Sequence, residues 1–266
     1  TGGANSAFGH FALNMSTTGS ANTAIGIDVL RNNSTAGNNT GVGSASLFST
    51  TTGGRNTALG FNTLYTNVGN IGSIAIGYNA MQYADNRTTG RTTGNTAIGY
   101  ESLKGSSTSA NNTGQNNTAL GYQTLLSNTS GYNNTALGES ALKSNTTGDR
   151  NVAVGSGSLN LNTTGVYNTA IGVEVLRANT NGARNTGVGM NSLSANTLGN
   201  DNSTLGFYAL RDNTTGGGNI AIGSDALRSN VANSGSIAIG NNAGRSNQGF
   251  ASISIGSNAG QTSQSG

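Results

Sequence analysis

The groups able to do acid, base or nucleophilic chemistry are few in this chain. It has one histidine, His10, no cysteine, and nine acidic residues among 266. The acids do not gather. Two places after a recurrent glycine stand Asp28, Glu101, Glu174 and Asp225, separated by stretches without an acid at that place. A glycosidase needs two carboxylates about 5–10 Å apart, and no such pair recurs. Without cysteine there is neither a disulfide scaffold nor a thiolate metal site. Gly41-Val42-Gly43 reads as part of a repeat rather than a phosphate loop, and the turns carry Asn where a calcium-binding β-roll places Asp. The expectation is a protein with no enzyme activity, no cofactor and no metal.

Residues suited to binding are more regular. Phe61, Tyr78, Tyr100 and Tyr122 each follow a glycine of the repeat. Exposed aromatics in a row suit stacking on sugar rings, and an aromatic ladder equally stabilises stacked strands. Basic residues recur five places after the glycine, at Arg31, Lys104, Lys143, Arg177, Arg211, Arg228 and Arg245. The last three would form a stripe for anionic polysaccharide, unless Asp212 and Asp225 neutralise it. Two neighbouring repeats are enlarged, through Asp85–Gly94, which contains Arg87 and Arg91, and Gly105–Gly114, which contains Asn111 and Asn112. Loops on a rigid scaffold are where binding usually sits; a lengthened surface loop is also cheap to tolerate. A net charge of +3 gives no argument for a nucleic-acid partner. Asn-x-Thr triplets match glycosylation acceptors but follow from the repeat itself.

The element that must position these residues is the phrase Asn168-Thr169-Ala170-Ile171-Gly172, which recurs throughout, as in Asn22–Gly26, Asn56–Gly60 and Asn134–Gly138. Its closing glycines run from Gly9 and Gly26 to Gly240 and Gly256, 17 residues apart except where Gly77, Gly99 and Gly121 stand 22 apart and the last step is 16. A short fixed period means a solenoid with one coil per repeat. Ile, Leu or Val precedes the glycine, Ala or another small residue stands before that, and Leu follows four places later. Each coil therefore reads as a short strand ending at Ile-Gly, a second short strand around the Leu, and a polar Gly-containing turn. In this reading the Ile and Leu columns fill the coil interior, glycine supplies a tight corner, and the Asn four before the glycine pairs along the stack as in cross-β ladders. The absence of proline agrees. A strand with bulky apolar residues on one face and Ala on the other is covered on both sides, which predicts an oligomer.

The Asn-Thr-Ala-Ile-Gly repeats, with runs such as Asn117-Thr118-Ala119-Leu120-Gly121-Tyr122-Gln123-Thr124-Leu125, resemble the head repeats of trimeric autotransporter adhesins (the YadA-like left-handed parallel β-roll). They are equally similar to repeat shafts of phage and phage-like tail fibres. The resemblance covers essentially the whole chain. The repeat count gives an all-β parallel solenoid of about 15 coils, and the resemblance implies a parallel homotrimer, extracellular or virion location, and attachment to a cell-surface glycan or receptor. The 17-residue coil is longer than that of the best-known adhesin heads. A purely structural spacer is the principal alternative. A remoter one is an ice-binding array built on Thr147, Thr164 and Thr215.

With only 8% charged residues and 43 glycines, composition alone suggests disorder, and the periodicity overrules it. No apolar run is long enough to span a bilayer, and no stretch reads as a signal peptide. The chain opens on Thr1 inside a repeat, so a longer parent protein is expected. The repeat region is assigned to 1–235, with enlarged coils at about 77–121. After Gly240 the Leu column gives way to Gly244 and Gly260, so 236–266 reads as terminal coils leading to a stalk or next domain.

Overall fold

The computed structural model of the chain describes residues 2–246 and 251–261. The protein is all-β: among the described residues fifteen three-residue strands form a parallel β-solenoid of about 14 turns with a repeat of ~17 residues. Two compact units, 1–136 and 137–266, share this build. The first holds β1 (Ser6–Phe8), β2 (Thr23–Ile25), β3 (Thr40–Val42), β4 (Thr57–Leu59), β5 (Ile74–Ile76), β6 (Thr96–Ile98) and β7 (Thr118–Leu120). The second holds β9 (Val152–Val154), β10 (Thr169–Ile171), β11 (Thr186–Val188), β12 (Ser203–Leu205), β13 (Ile220–Ile222), β14 (Ile237–Ile239) and β15 (Ile253–Ile255). The division falls within β8 (Thr135–Leu137). Within each unit every strand pairs in parallel with the next in the chain. Register places like on like: Thr169 beside Thr186, Ala170 beside Gly187, Ile171 beside Val188. The part of 236–266 comprising residues 247–250 and 262–266, and with it most of the altered turn Ser246–Gly249, lies outside the described residues.

Strand residues alternate in direction, and the middle one points inward. Ala24 is 0% exposed while Ile25 is 43% exposed. The same holds for Ala58 beside Leu59 and Ala170 beside Ile171. This corrects the expectation that the Ile column fills the coil. The interior is too narrow for it. The strand Ala, the Leu four places after the glycine (Leu30, Leu64, Leu142, Leu176), and the residue before that Leu already occupy the space. Where that last residue is Val, even Ala is excluded: a Cβ on Gly41 would lie 2.6 Å from Val29 Cγ1, and one on Gly187 2.6 Å from Val175 Cγ1.

The corner glycine is obligatory twice over. Gly60 has φ +130, and a Cβ there would sit 2.3 Å from the carbonyl oxygen of Gly77 in the next coil.

The segment around the Leu is not a second strand, contrary to expectation. Alternate residues are left-handed, such as Glu174 at φ 54 and Leu176 at φ 51. The amides of residues two apart, which point the same way in a strand, here point in opposite directions: Glu174 N–H donates to Ser156 O of the preceding coil (2.9 Å) and Leu176 N–H to Ser192 O of the following one (3.1 Å). A left-handed Leu costs about 1–2 kcal/mol; full burial of its side chain, worth about 1.5–3 kcal/mol, offsets that.

Two buried carboxamide columns finish the interior. In the first, Asn185 N–H and Nδ2 both donate to Asn168 Oδ1 (3.0 and 3.2 Å), and Nδ2 also donates to Gly199 O (2.8 Å). This is the expected ladder. The second runs through Asn145, Asn162, Asn179, Asn196 and Asn213, seven places after the glycine, with Nδ2 to Oδ1 distances of 2.7–2.9 Å. Each carboxamide hands its oxygen to the next until Asn213, whose Oδ1 ends the run without a partner. Pairing along the columns is what lets so many polar groups be buried.

Candidate functional site

The enlarged coils belong to the first unit, and both extra loops meet over one side of it. Residues 86–90 are exposed, but the loop is anchored at its base by Asp85, whose side chain is 1% exposed. Arg87 grips that carboxylate with Nε (2.9 and 3.0 Å) and Nη2 (2.6 Å) and closes a turn with its own N–H (3.1 Å). Arg91 adds Nε at 3.1 Å and Nη2 at 3.0 Å. Burial by itself would raise the Asp85 carboxyl; the hydrogen bonds and charge of Arg87, with the charge of Arg91, outweigh it and hold it below its ordinary value of 3.8. The two arginines and one acid leave a single net positive charge, with Arg87 46% exposed at the rim.

The second loop contains the 3-10 turn Ser109–Asn111. Asn112 turns back beneath it, its Nδ2 donating to Ser106 O (2.7 Å) and to Tyr83 O of the preceding coil. Asn111 is exposed. Asp85 and Asn112 both line a cavity of about 30 Å³ beneath the loops. Thus Arg87, Arg91, Asn111 and Asn112 stand on or beside one feature, joined through Asp85 and Tyr83.

The aromatic column forms a separate feature. Phe61, Tyr78, Tyr100 and Tyr122 stack with centroids 5.2–5.4 Å apart and planes within 14°. Each of the two inner rings has its faces turned on neighbours, so the exposed parts are ring edges and hydroxyls. A sugar stacks on a ring face; here those faces are occupied by the ladder. Next to it Glu101 accepts from Lys104 Nζ (2.6 Å) and Gln123 Nε2 (2.9 Å). The charge of Glu101 raises the Tyr100 phenol above its ordinary value. Among the described residues no hydrogen bond or ring contact joins this stack to Arg87, Arg91 or Asn112.

In the basic stripe Arg211, Arg228 and Arg245 of the second unit, two members are tied to acids. Arg211 pairs with Asp212 (2.6 Å) and Arg228 with Asp225 (2.8 Å), and both guanidiniums lie over the Tyr208 ring. Arg245 donates instead to a neutral acceptor, Asn242 Oδ1, at 3.4 Å. With two of its three charges met by carboxylates, the stripe is a weaker anion-binding feature than three free arginines. Thr147, Thr164 and Thr215 are exposed in turns rather than on strands.

The largest feature is one that reading the Ile column as interior concealed. Each strand presents its first and third residues outward, giving parallel ranks, mostly of Thr or Ile at the first place and of Ile, Leu or Val at the third. In the second unit Ile171, Leu205, Ile222, Ile239 and Ile255 are all exposed, Leu205 by 53%. Ile220 and Ile253, the first residues of their strands, add to the other rank. A shallow groove of about 280 Å³ lies there between Val188, Leu205, Ile220 and Ile222. In the first unit Ile25, Leu59, Ile74 and Leu120 do the same. Among the described residues no helix is long and apolar enough to cross a membrane. Compared with protein-family models, curated proteins and solved structures, the chain matches none of them, so its repeats and geometry alone carry the functional reading.

Proposed function

We propose that the chain is a non-enzymatic segment of an extracellular attachment fibre, a homotrimer in which the apolar strand faces of three copies pack together. The observation that carries this is the outward rank of Ile, Leu and Val on coil after coil, with Ala turned inward. Contiguous apolar surface of this extent marks an interaction site, and a rank with one period along the chain suits a partner having the same period, another copy. Three copies also present the enlarged-coil loops three times, which favours multivalent attachment to a cell-surface glycan or receptor. In this reading Arg87 and Asn111 are the contact residues at the loop tips, and the tyrosine stack stiffens the coils beneath them.

Removal of residues 86–90, closed with two glycines, tests the attachment role in a chain whose ladder residues remain intact. The fibre reading expects cell or glycan-array binding to be lost while circular dichroism and solution mass stay unchanged. Undiminished binding would place recognition elsewhere and leave this segment as a spacer.

A further inference from the structure

The first carboxamide column of unit 1 reads Asn5, Asn22, Asn39, Asn56, Ser73, Asn95, Asn117, Asn134, and Ser73 is its one short member. Before it the pattern is fixed. Each Oδ1 accepts the backbone N–H and the Nδ2 of the next member: Asn39 to Asn22 at 3.0 and 3.3 Å, Asn56 to Asn39 at 2.9 and 3.2 Å. Ser73 still donates its N–H to Asn56 Oδ1 at 2.9 Å. It has no carboxamide to offer onward, and its Oγ lies 2.5 Å from Thr93 Oγ1. Asn95 consequently loses the acceptor that its neighbours in the column have. Its Nδ2 retains only Gly114 O (2.9 Å), and its backbone N–H has no acceptor among the described residues.

A complementary acceptor is orphaned on the same spot. Asn70 is 2% exposed; its Nδ2 donates to Asp85 O at 2.8 Å, while its Oδ1 has no partner. Asn70, Ser73, Thr93 and Asn95 line the cavity of about 30 Å³, and a cavity above about 10–15 Å³ with two to four polar partners holds a water.

We propose that this cavity is a binding site for one ordered water molecule that replaces the missing carboxamide oxygen of position 73. It accepts from Asn95 N–H and Nδ2 and donates to Asn70 Oδ1 and Ser73 Oγ, filling all four of its hydrogen-bonding positions. The mixed lining selects water over an ion: an anion leaves Asn70 Oδ1 unsatisfied, and a cation leaves Asn95 N–H unsatisfied. The nearby Asp85 charge is already met by Arg87 and Arg91. The enlarged coils thus keep the column continuous through a solvent molecule at the place where the loops interrupt it.

High-resolution crystal structures of the whole 266-residue chain and of its Ser73→Asn variant test this. The wild type should show a single peak without anomalous signal about 2.7–3.2 Å from Asn70 Oδ1, Ser73 Oγ and Asn95 N. In Ser73→Asn the peak should vanish, with the introduced carboxamide oxygen accepting from Asn95 N–H. An empty wild-type cavity, a peak with anomalous signal, or a peak that persists beside the introduced carboxamide would each overturn the proposal. Should that variant fail to fold, the wild-type density decides alone.

Discussion

Gly187 and Val175 offer a way to measure how tightly the narrow interior is filled. A Cβ at 187 would sit 2.6 Å from Val175 Cγ1, about 1 Å inside the best carbon–carbon separation of ~3.5–4.0 Å. Overpacking of this kind costs about 1–3 kcal/mol, reduced by about 0.4–1 kcal/mol because Ala restricts the unfolded chain. Gly187→Ala should therefore destabilise by about 1–2 kcal/mol. Val175→Ala removes two fully buried methyl groups, about 1.6 kcal/mol at ~0.8 per carbon, plus a cavity contribution, or about 2 kcal/mol. If the two sites were independent, the pair would lose about 3–4 kcal/mol. The double variant instead recreates a combination the chain already uses, Ala209 followed by Ala221, both fully buried, so its loss should be about 2 kcal/mol. Urea unfolding of the four proteins gives the cycle directly. A coupling of about 1–2 kcal/mol favouring the double variant is expected; additivity within about 0.3–0.5 kcal/mol, or a stabilising Gly187→Ala, would refute the packing described.

Three further outcomes follow from individual contacts. Gly60→Ala forces a side chain into φ +130 with its Cβ 2.3 Å from Gly77 O, and should lower the melting temperature more than Gly187→Ala does; the reverse order would contradict the corner's double constraint. Asn168→Ala deprives Asn185 of the Oδ1 that accepts two of its bonds and orphans buried groups at about 1–3 kcal/mol each; denaturant midpoints should drop accordingly, and a loss below about 1 kcal/mol would contradict the ladder's role. Asp85 has a carboxyl pKa depressed in the folded state, so its contribution is present above the unfolded value of about 3.9 and disappears as pH falls through that value and below the folded one. The stability gap between wild type and Asp85→Asn should be full at about pH 6 and close below about pH 4, and a gap independent of pH would contradict the clamp by Arg87 and Arg91.

The spacing of Gly9, Gly26 and their successors made the solenoid legible, because a parallel register of 17 residues must put like on like. The Leu column and the Asn22–Asn39–Asn56 ladder were legible for the same reason. The direction of the strand was not. Ile beside Ala invites the larger residue inside, yet the cross-section of one coil is already occupied by Leu and by two carboxamide columns. A signal did exist: Gly41 follows Val29 and Gly187 follows Val175 by twelve residues, a size compensation that makes sense only if position two before the glycine faces in. The second Asn column was hidden by its turn context, since Asn145-Thr146-Thr147-Gly148 reads equally well as exposed loop. The left-handed Leu residues had no local signal at all, because Leu ordinarily avoids that conformation and only the stacked neighbours impose it. In the enlarged coils the arginines were visible as loop charges, but their convergence on Asp85 depends on how the loop folds back.

The central claim is that the outward apolar ranks are covered by further copies of the chain. Its most direct test is the solution mass of the purified chain by light scattering, beside a variant carrying Ile171→Lys, Leu205→Lys and Ile222→Lys, three residues exposed in the single chain. The account predicts about three times 26.4 kDa for the wild type and a folded monomer for the variant, with matching circular dichroism. A wild-type chain that is folded and monomeric at 26.4 kDa would contradict it.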